Sequence, residues 1–198
     1  MSSYKTIESN SEGIYKDKGS KFLSFAIPIN SLDESKQILQ KFKKEHWNAR
    51  HICYAYVFGQ NRSEFRSFDD GEPSNTAGKP ILGQINSFNL TNIIIIVVRY
   101  FGGVLLGTSG LITAYKEASL DAIKNATIIE KSIQHTILLR FSYVNLNETM
   151  KIIKEYKIEI INQTLDNECS LTIIIEKAYY QKIISLFQKI ENLEIIAS

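Results

Sequence analysis

The residues best equipped for chemistry lie between Phe65 and Ala122. Three carboxylates, Asp69, Asp70 and Glu72, crowd the turn Asp69-Asp70-Gly71-Glu72-Pro73-Ser74-Asn75. Hard cations such as Mg²⁺ take oxygen ligands, and neighbouring carboxylates raise one another's pKa toward general acid–base use. The same residue types also turn back onto backbone N–H groups, with Gly71 supplying a positive φ. No histidine or further ligand cluster stands nearby in the chain, so the acidic turn is read as structural. No catalytic residue, metal ligand or cofactor is assigned.

Two helix starts offer a second chemistry. Partial positive charge collects at a helix N-terminus and attracts anions. Thr76, Gly78 and Lys79 stand where one helix begins: Gly78 lets an anion approach the backbone, and Lys79 adds a full charge. The apolar run Ile93–Val98 ends in Arg99 and Tyr100, followed by Gly102, Gly103, Gly107 and Thr108 before another helix. A guanidinium at the mouth of an apolar strand suits phosphate or an internal carboxylate, with Asp69 or Asp70 as the expected partner. Tyr100 and Phe101 beside it read as the edge of the core, with base stacking as the alternative.

Other motifs are excluded. The glycines after Arg99 fit neither GxGxxG nor a Walker loop, because the spacing differs and no Lys-Ser/Thr pair follows. His46, His51 and Cys53 give H-x4-H-x-C without a fourth zinc ligand at a usable spacing, which makes them structural. Cys53 and Cys169 each sit in apolar runs and read as buried free thiols of a reducing compartment.

The elements that must position these groups follow from period and punctuation. Tyr4–Ile29 reads as two or three strands, and Ser31-Leu32-Asp33-Glu34 opens a helix running to about His46 with Ile38, Leu39 and Phe42 inward. In the strand 51–58, His51, Cys53, Ala55 and Val57 share one face, and Ile52, Tyr54, Tyr56 and Phe58 the other. Residues 64–68 pair with it. Asn75 or Thr76 caps a helix carrying Ile81, Leu82, Ile85 and Phe88. Ile93–Val98 has no polar position and is expected to be central and covered on both faces. Thr108 or Ser109 opens the next helix. After Ala126 the order β-α-β-β-α-β follows, that of a ferredoxin-like unit. The expected fold class is therefore α+β in two domains, 1–130 and 131–198.

The 198 residues carry a net charge of +2, held by residues 1–130, with 15 Lys and Arg against 13 Asp and Glu. Residues 131–198 are neutral, with eight of each sign. Nothing here is a polycation, so any nucleic-acid surface is local. No secretion signal and no apolar run long enough for a bilayer is present, and a cytoplasmic protein without membrane partners is expected.

DDGEPSNTAGKPIL and VVRYFGGVLLGTSGLITAY resemble the signature of the IMPACT family, including its bacterial YigZ-type members. ARHICYAYVFG and KGSKFL resemble the stretches that precede it. The resemblance is dense over residues 18–122. It implies a first domain similar to the second-domain fold of a small-subunit ribosomal protein, then a ferredoxin-like module, the pair resembling the fourth and fifth domains of elongation factor G. It departs from the family where Asn75 and Ser109 replace common glycines, and where Thr113 and Leu105 replace basic residues. Lys79, inside TAGKP, and Arg99 remain the main phosphate candidates. The expected function is a non-enzymatic RNA- or ribosome-associated protein linked to translation. The alternatives are a hydrolase acting on a small molecule or phosphoester through Asp69, Asp70 and Glu72, and a module docking a translation-related protein.

Overall fold

The computed structural model describes residues 2–197 as a mixed α/β chain with several sheets. It divides into two compact units, Tyr4–Lys131 and one built from Ser132 onward together with residues 2–3.

The larger unit begins with β1 (Ser3–Ile7), β2 (Ser11–Asp17) and β3 (Ser20–Pro28), then α1 (Leu32–Glu45). Ser31 caps α1 by accepting from Glu34 N–H at 3.1 Å, while the Glu34 carboxylate reaches back to Asn30 N–H at 2.7 Å. This is a capping box displaced by one residue at its return bond. There follow β4 (His51–Phe58), β5 (Glu64–Phe68), α2 (Gly78–Ser87), β6 (Ile93–Tyr100), α3 (Gly107–Lys124) and β7 (Ile128–Ser132). Five strands form one sheet in the order β2-β3-β6-β4-β5, antiparallel at every junction. The strand β1 pairs with β7 in a separate two-stranded sheet.

The all-apolar run explains the layering. β6 is the middle strand, and Ile93 to Val98 are fully buried because both faces are covered. Ile93, Ile95 and Val97 pack with Cys53, Ala55, Val57, Ile81, Ile85, Leu111, Ala114 and Tyr115, the side of α2 and α3. Ile94, Ile96 and Val98 pack with Phe42, Ile38 and Leu39 of α1 and with Ile52 and Tyr54. The alternation of β4 thus sorts its residues as its sequence period requires.

The smaller unit contains β8 (Gln134–Ser142), α4 (Leu146–Glu155), β9 (Glu159–Leu165), β10 (Glu168–Glu176), α5 (Tyr180–Phe187) and β11 (Glu194–Ala197). Its sheet order is β11-β8-β10-β9. Ile137, Leu139 and Phe141 of β8 and Cys169, Leu171, Ile173 and Ile175 of β10 form its core with Ile153, Ile183 and Phe187. Among the described residues, no helix is long and apolar enough to cross a membrane.

Candidate functional site

The acidic turn works inward. Asp69 Oδ1 accepts from the N–H groups of Ala77 and Gly78 at 3.0 and 2.8 Å, and its Oδ2 from Asn75 N–H at 3.0 Å. Helix α2 has no side-chain cap from its own N-cap residue, Ala77. The distant carboxylate serves instead, placing negative charge on the helix start. Asp70 takes a positive φ of 45° and Gly71 one of 84°. That reversal lets the Asp70 carboxylate accept from Ile52 N–H at 2.7 Å, while its carbonyl meets His51 Nδ1 at 2.7 Å.

Glu72 goes deeper. Its Oε1 accepts from Arg99 Nη1 at 2.6 Å and from the Tyr115 hydroxyl at 2.8 Å, with His51 Nε2 at 3.9 Å. Arg99 and Glu72 are 5% and 8% exposed, so the pair is buried and charge-assisted. The partner of Arg99 is therefore Glu72, not Asp69 or Asp70 as expected from sequence. His51 and Phe22 are the register partners of Arg99 on the two flanking strands, which puts all three on the α3 face. The Arg99 guanidinium stacks 5.4 Å from the Phe22 ring and 5.6 Å from the Phe101 ring. Below it, Cys53 Sγ lies 3.3 Å from Tyr115 Oη and 3.0 Å from Asp69 O. Burial pushes the Cys53 thiol and the Tyr115 hydroxyl well above their ordinary pKa values.

Above this floor lies a cleft of about 550 Å³, lined by Arg50, His51, Glu72, Pro73, Arg99, Phe101, Leu105, Leu106, Gly107, Thr108 and Leu111. The structure brings Arg99, Gly107 and Thr108 together here, with Glu72 of the acidic turn. The other expected contacts lie elsewhere. Thr76 is buried and its hydroxyl donates to Pro73 O; the Gly78 amide is already taken by Asp69. An anion at the α2 start would have to displace that carboxylate. Lys79 is exposed on the first turn of α2 and does not line the cleft. Tyr100 faces the α1 side, its hydroxyl 2.8 Å from His46 Nδ1, because neighbouring strand residues point oppositely. Gly102 packs against the β2–β3 turn, where a Cβ would meet Gly19 C at 1.9 Å. Gly103 has open space and a φ of 87°. Arg50 and His51 are cleft residues that the sequence reading did not select. The register of β4 on β6 is the signal that pairs His51 with Arg99, and it is not visible before folding.

Residues 18–123 match the family model of the Impact N-terminal domain. The chain is 33% identical over 155 residues to "IMPACT family member YvyE" of Bacillus subtilis, covering 78% of this chain and 71% of that protein. It is 37% identical over 151 residues to an "IMPACT family member" of Haemophilus influenzae, covering 74% and 72%. A crystal structure of a hypothetical protein, 27% identical, superposes over 100% of this chain and 98% of that one with a TM-score of 0.74.

Proposed function

The chain belongs to the IMPACT family, and from that premise we propose that it is a non-enzymatic, RNA- or ribosome-associated regulator of translation. The observation that carries this reading is that each carboxylate of the acidic turn already holds protein donors. Asp69 holds the α2 amides, Asp70 holds Ile52 N–H, and Glu72 holds Arg99 and Tyr115. A general base or a hard-cation site needs carboxylate oxygens turned toward substrate or ion. Engaged by these donors, they brace the walls of a binding site, Glu72 from within the cleft lining, which favours binding over hydrolysis.

The cationic groups in and near the cleft support an RNA partner. Arg50 and Arg99 line the cleft, α3 starts there without a side-chain cap, and Lys79 is exposed on α2. Guanidinium groups and helix N-termini are common holders of phosphate. The order β11-β8-β10-β9 supports a ferredoxin-like reading of the smaller unit.

The test is sedimentation of the full chain with ribosomes through a gradient, with and without RNase, at several salt concentrations. Cosedimentation that RNase releases is expected, with log affinity falling against log salt by about 0.7 per phosphate contact on single strands. Arg50→Ala is expected to flatten that slope by about one contact. Association that survives RNase and ignores salt would replace RNA with a docked protein partner.

A further inference from the structure

We infer that the Arg50–Arg99 cleft seats a single phosphorylated nucleotide, its phosphate against the guanidinium groups and the first amides of α3, its base against Phe101 and Leu105. This rests on the RNA reading for one of its two sources, the phosphorylated end of an RNA chain; the other source is a free mononucleotide.

Size and charge set the ligand class. A volume of about 550 Å³ is that of a small-molecule site. Arg50 and Arg99 against Glu72 leave one positive charge, reinforced by the α3 start. Two guanidinium groups and one helix start are donors for a single phosphate group, whereas a strand's successive phosphates call for a row of cations. A larger hollow of about 740 Å³ on the smaller unit sets Glu168 and Glu194 against Arg140 and so repels an anion.

The Arg99 guanidinium is built to receive an acceptor. Its Nη1 is fixed by Glu72 and its plane by Phe22 and Phe101. Its Nε is buried without a partner. A buried donor left unpaired is costly and rare, and a phosphate oxygen would satisfy it. The apolar part of the ligand is set by the rim: Phe101 is 47% exposed and Leu105 82% exposed, bordering this charged floor. An aromatic face of this kind stacks a base regardless of its identity. His51 adds a contact to the sugar. Its Nδ1 is held 2.7 Å from the Asp70 carbonyl, which fixes the ring in the cleft wall with Nε2 on the Glu72 side, within reach of a ribose hydroxyl.

The experiment uses calorimetry on the full chain. The probes are uridine and adenosine 5′-monophosphates, the parent nucleosides, inorganic phosphate, and RNA hexamers with a phosphate or a hydroxyl at the end. Monophosphates are expected to bind about tenfold or more tightly than nucleosides, and more tightly than inorganic phosphate. Arg50→Ala, on an exposed side chain, is expected to lower that affinity about tenfold with an unchanged melting temperature. Leu105→Glu should weaken it as well. Phosphate-ended hexamers binding better than hydroxyl-ended ones, with competition by the monophosphate, assign the site to an RNA end. Monophosphate binding without hexamer binding leaves the site standing and removes the RNA reading. Hexamers that bind alike at both ends and are not displaced overturn the site while leaving the RNA reading intact. No monophosphate binding at millimolar concentration, or binding no tighter than phosphate, also overturns it.

Discussion

Asp69 is the N-terminal cap of a helix that starts nine residues after it. Its Oδ1 receives the Gly78 amide at 2.8 Å and the Ala77 amide at 3.0 Å. A cap lost from a helix start costs about 0.5–2 kcal/mol, and amides stranded inside the fold add about 1–3 kcal/mol. Asp69→Ala is therefore expected to lose about 2–4 kcal/mol in urea unfolding. Asp69→Asn keeps one acceptor and should lose less. Both losses should be the same in Mg²⁺ and in a chelator. A Mg²⁺-dependent stabilisation abolished by the substitution would, by linkage, return the turn to metal chemistry.

Removing one partner of the buried Glu72–Arg99 pair leaves a charge without compensation. Arg99→Ala and Glu72→Ala are each expected to cost about 3–5 kcal/mol. Replacing both by apolar residues of similar volume removes the stranded charge. Glu72→Leu with Arg99→Met should therefore cost less than the two single losses added together. Additive losses would show that the two groups are not coupled, contrary to their 2.6 Å contact.

Gly102 and Gly103 stand side by side for different reasons. A Cβ on Gly102 would lie 1.9 Å from Gly19 C and 2.2 Å from Ser20 N, and backbone cannot rotate away. A Cβ on Gly103 meets nothing within 4 Å, and only its φ of 87° resists a side chain. Gly103→Ala is expected to cost about 1–2 kcal/mol, the left-handed penalty. Gly102→Ala should cost clearly more and should loosen the Phe101 side of the cleft. Thermal melts of the two variants rank them, and equal losses would contradict the close approach.

Much of the scaffold was legible, because burial on two faces writes itself into composition. Ile93 to Val98 could only be a covered strand, and the period of two in 51–58 sorted Cys53 from Tyr54 correctly. The site was less legible. The apolar run stops at Val98, but pairing continues through Arg99 and Tyr100 against Phe22 and Lys21. That extra pairing sends Tyr100 to the α1 face and Arg99 to the other. The three carboxylates of the turn look interchangeable in sequence. The positive φ of Asp70 and Gly71 decides which reaches α2, which reaches β4 and which reaches Arg99. His51 enters the cleft through the register of β4 on β6, and Arg50, just before β4, through its N–H bond to the Arg99 carbonyl, long-range facts that no local spacing encodes.

Alkaline pH should destabilise the larger unit through Cys53 and Tyr115. Burial raises both pKa values in the folded state, so the neutral forms are favoured there. The unfolded thiol ionises near pH 8.5 and the unfolded phenol near pH 10. Above each of those values the unfolded chain binds fewer protons than the folded one, and stability falls with a slope of about 1.4 kcal/mol per pH unit per group. Below pH 8 neither group contributes a slope. Urea unfolding between pH 7.5 and 10.5 should therefore show a decline that begins near pH 8.5 and steepens near pH 10. Cys53→Ala should remove the first part of that decline and leave the second. The same burial makes the thiol a poor nucleophile, so alkylation at pH 8.5 should label Cys53 only after denaturation. Rapid labelling of Cys53 in the folded chain would mean that the packing beneath the Arg99–Glu72 pair opens readily, and the alkaline slope assigned to it would then be lost.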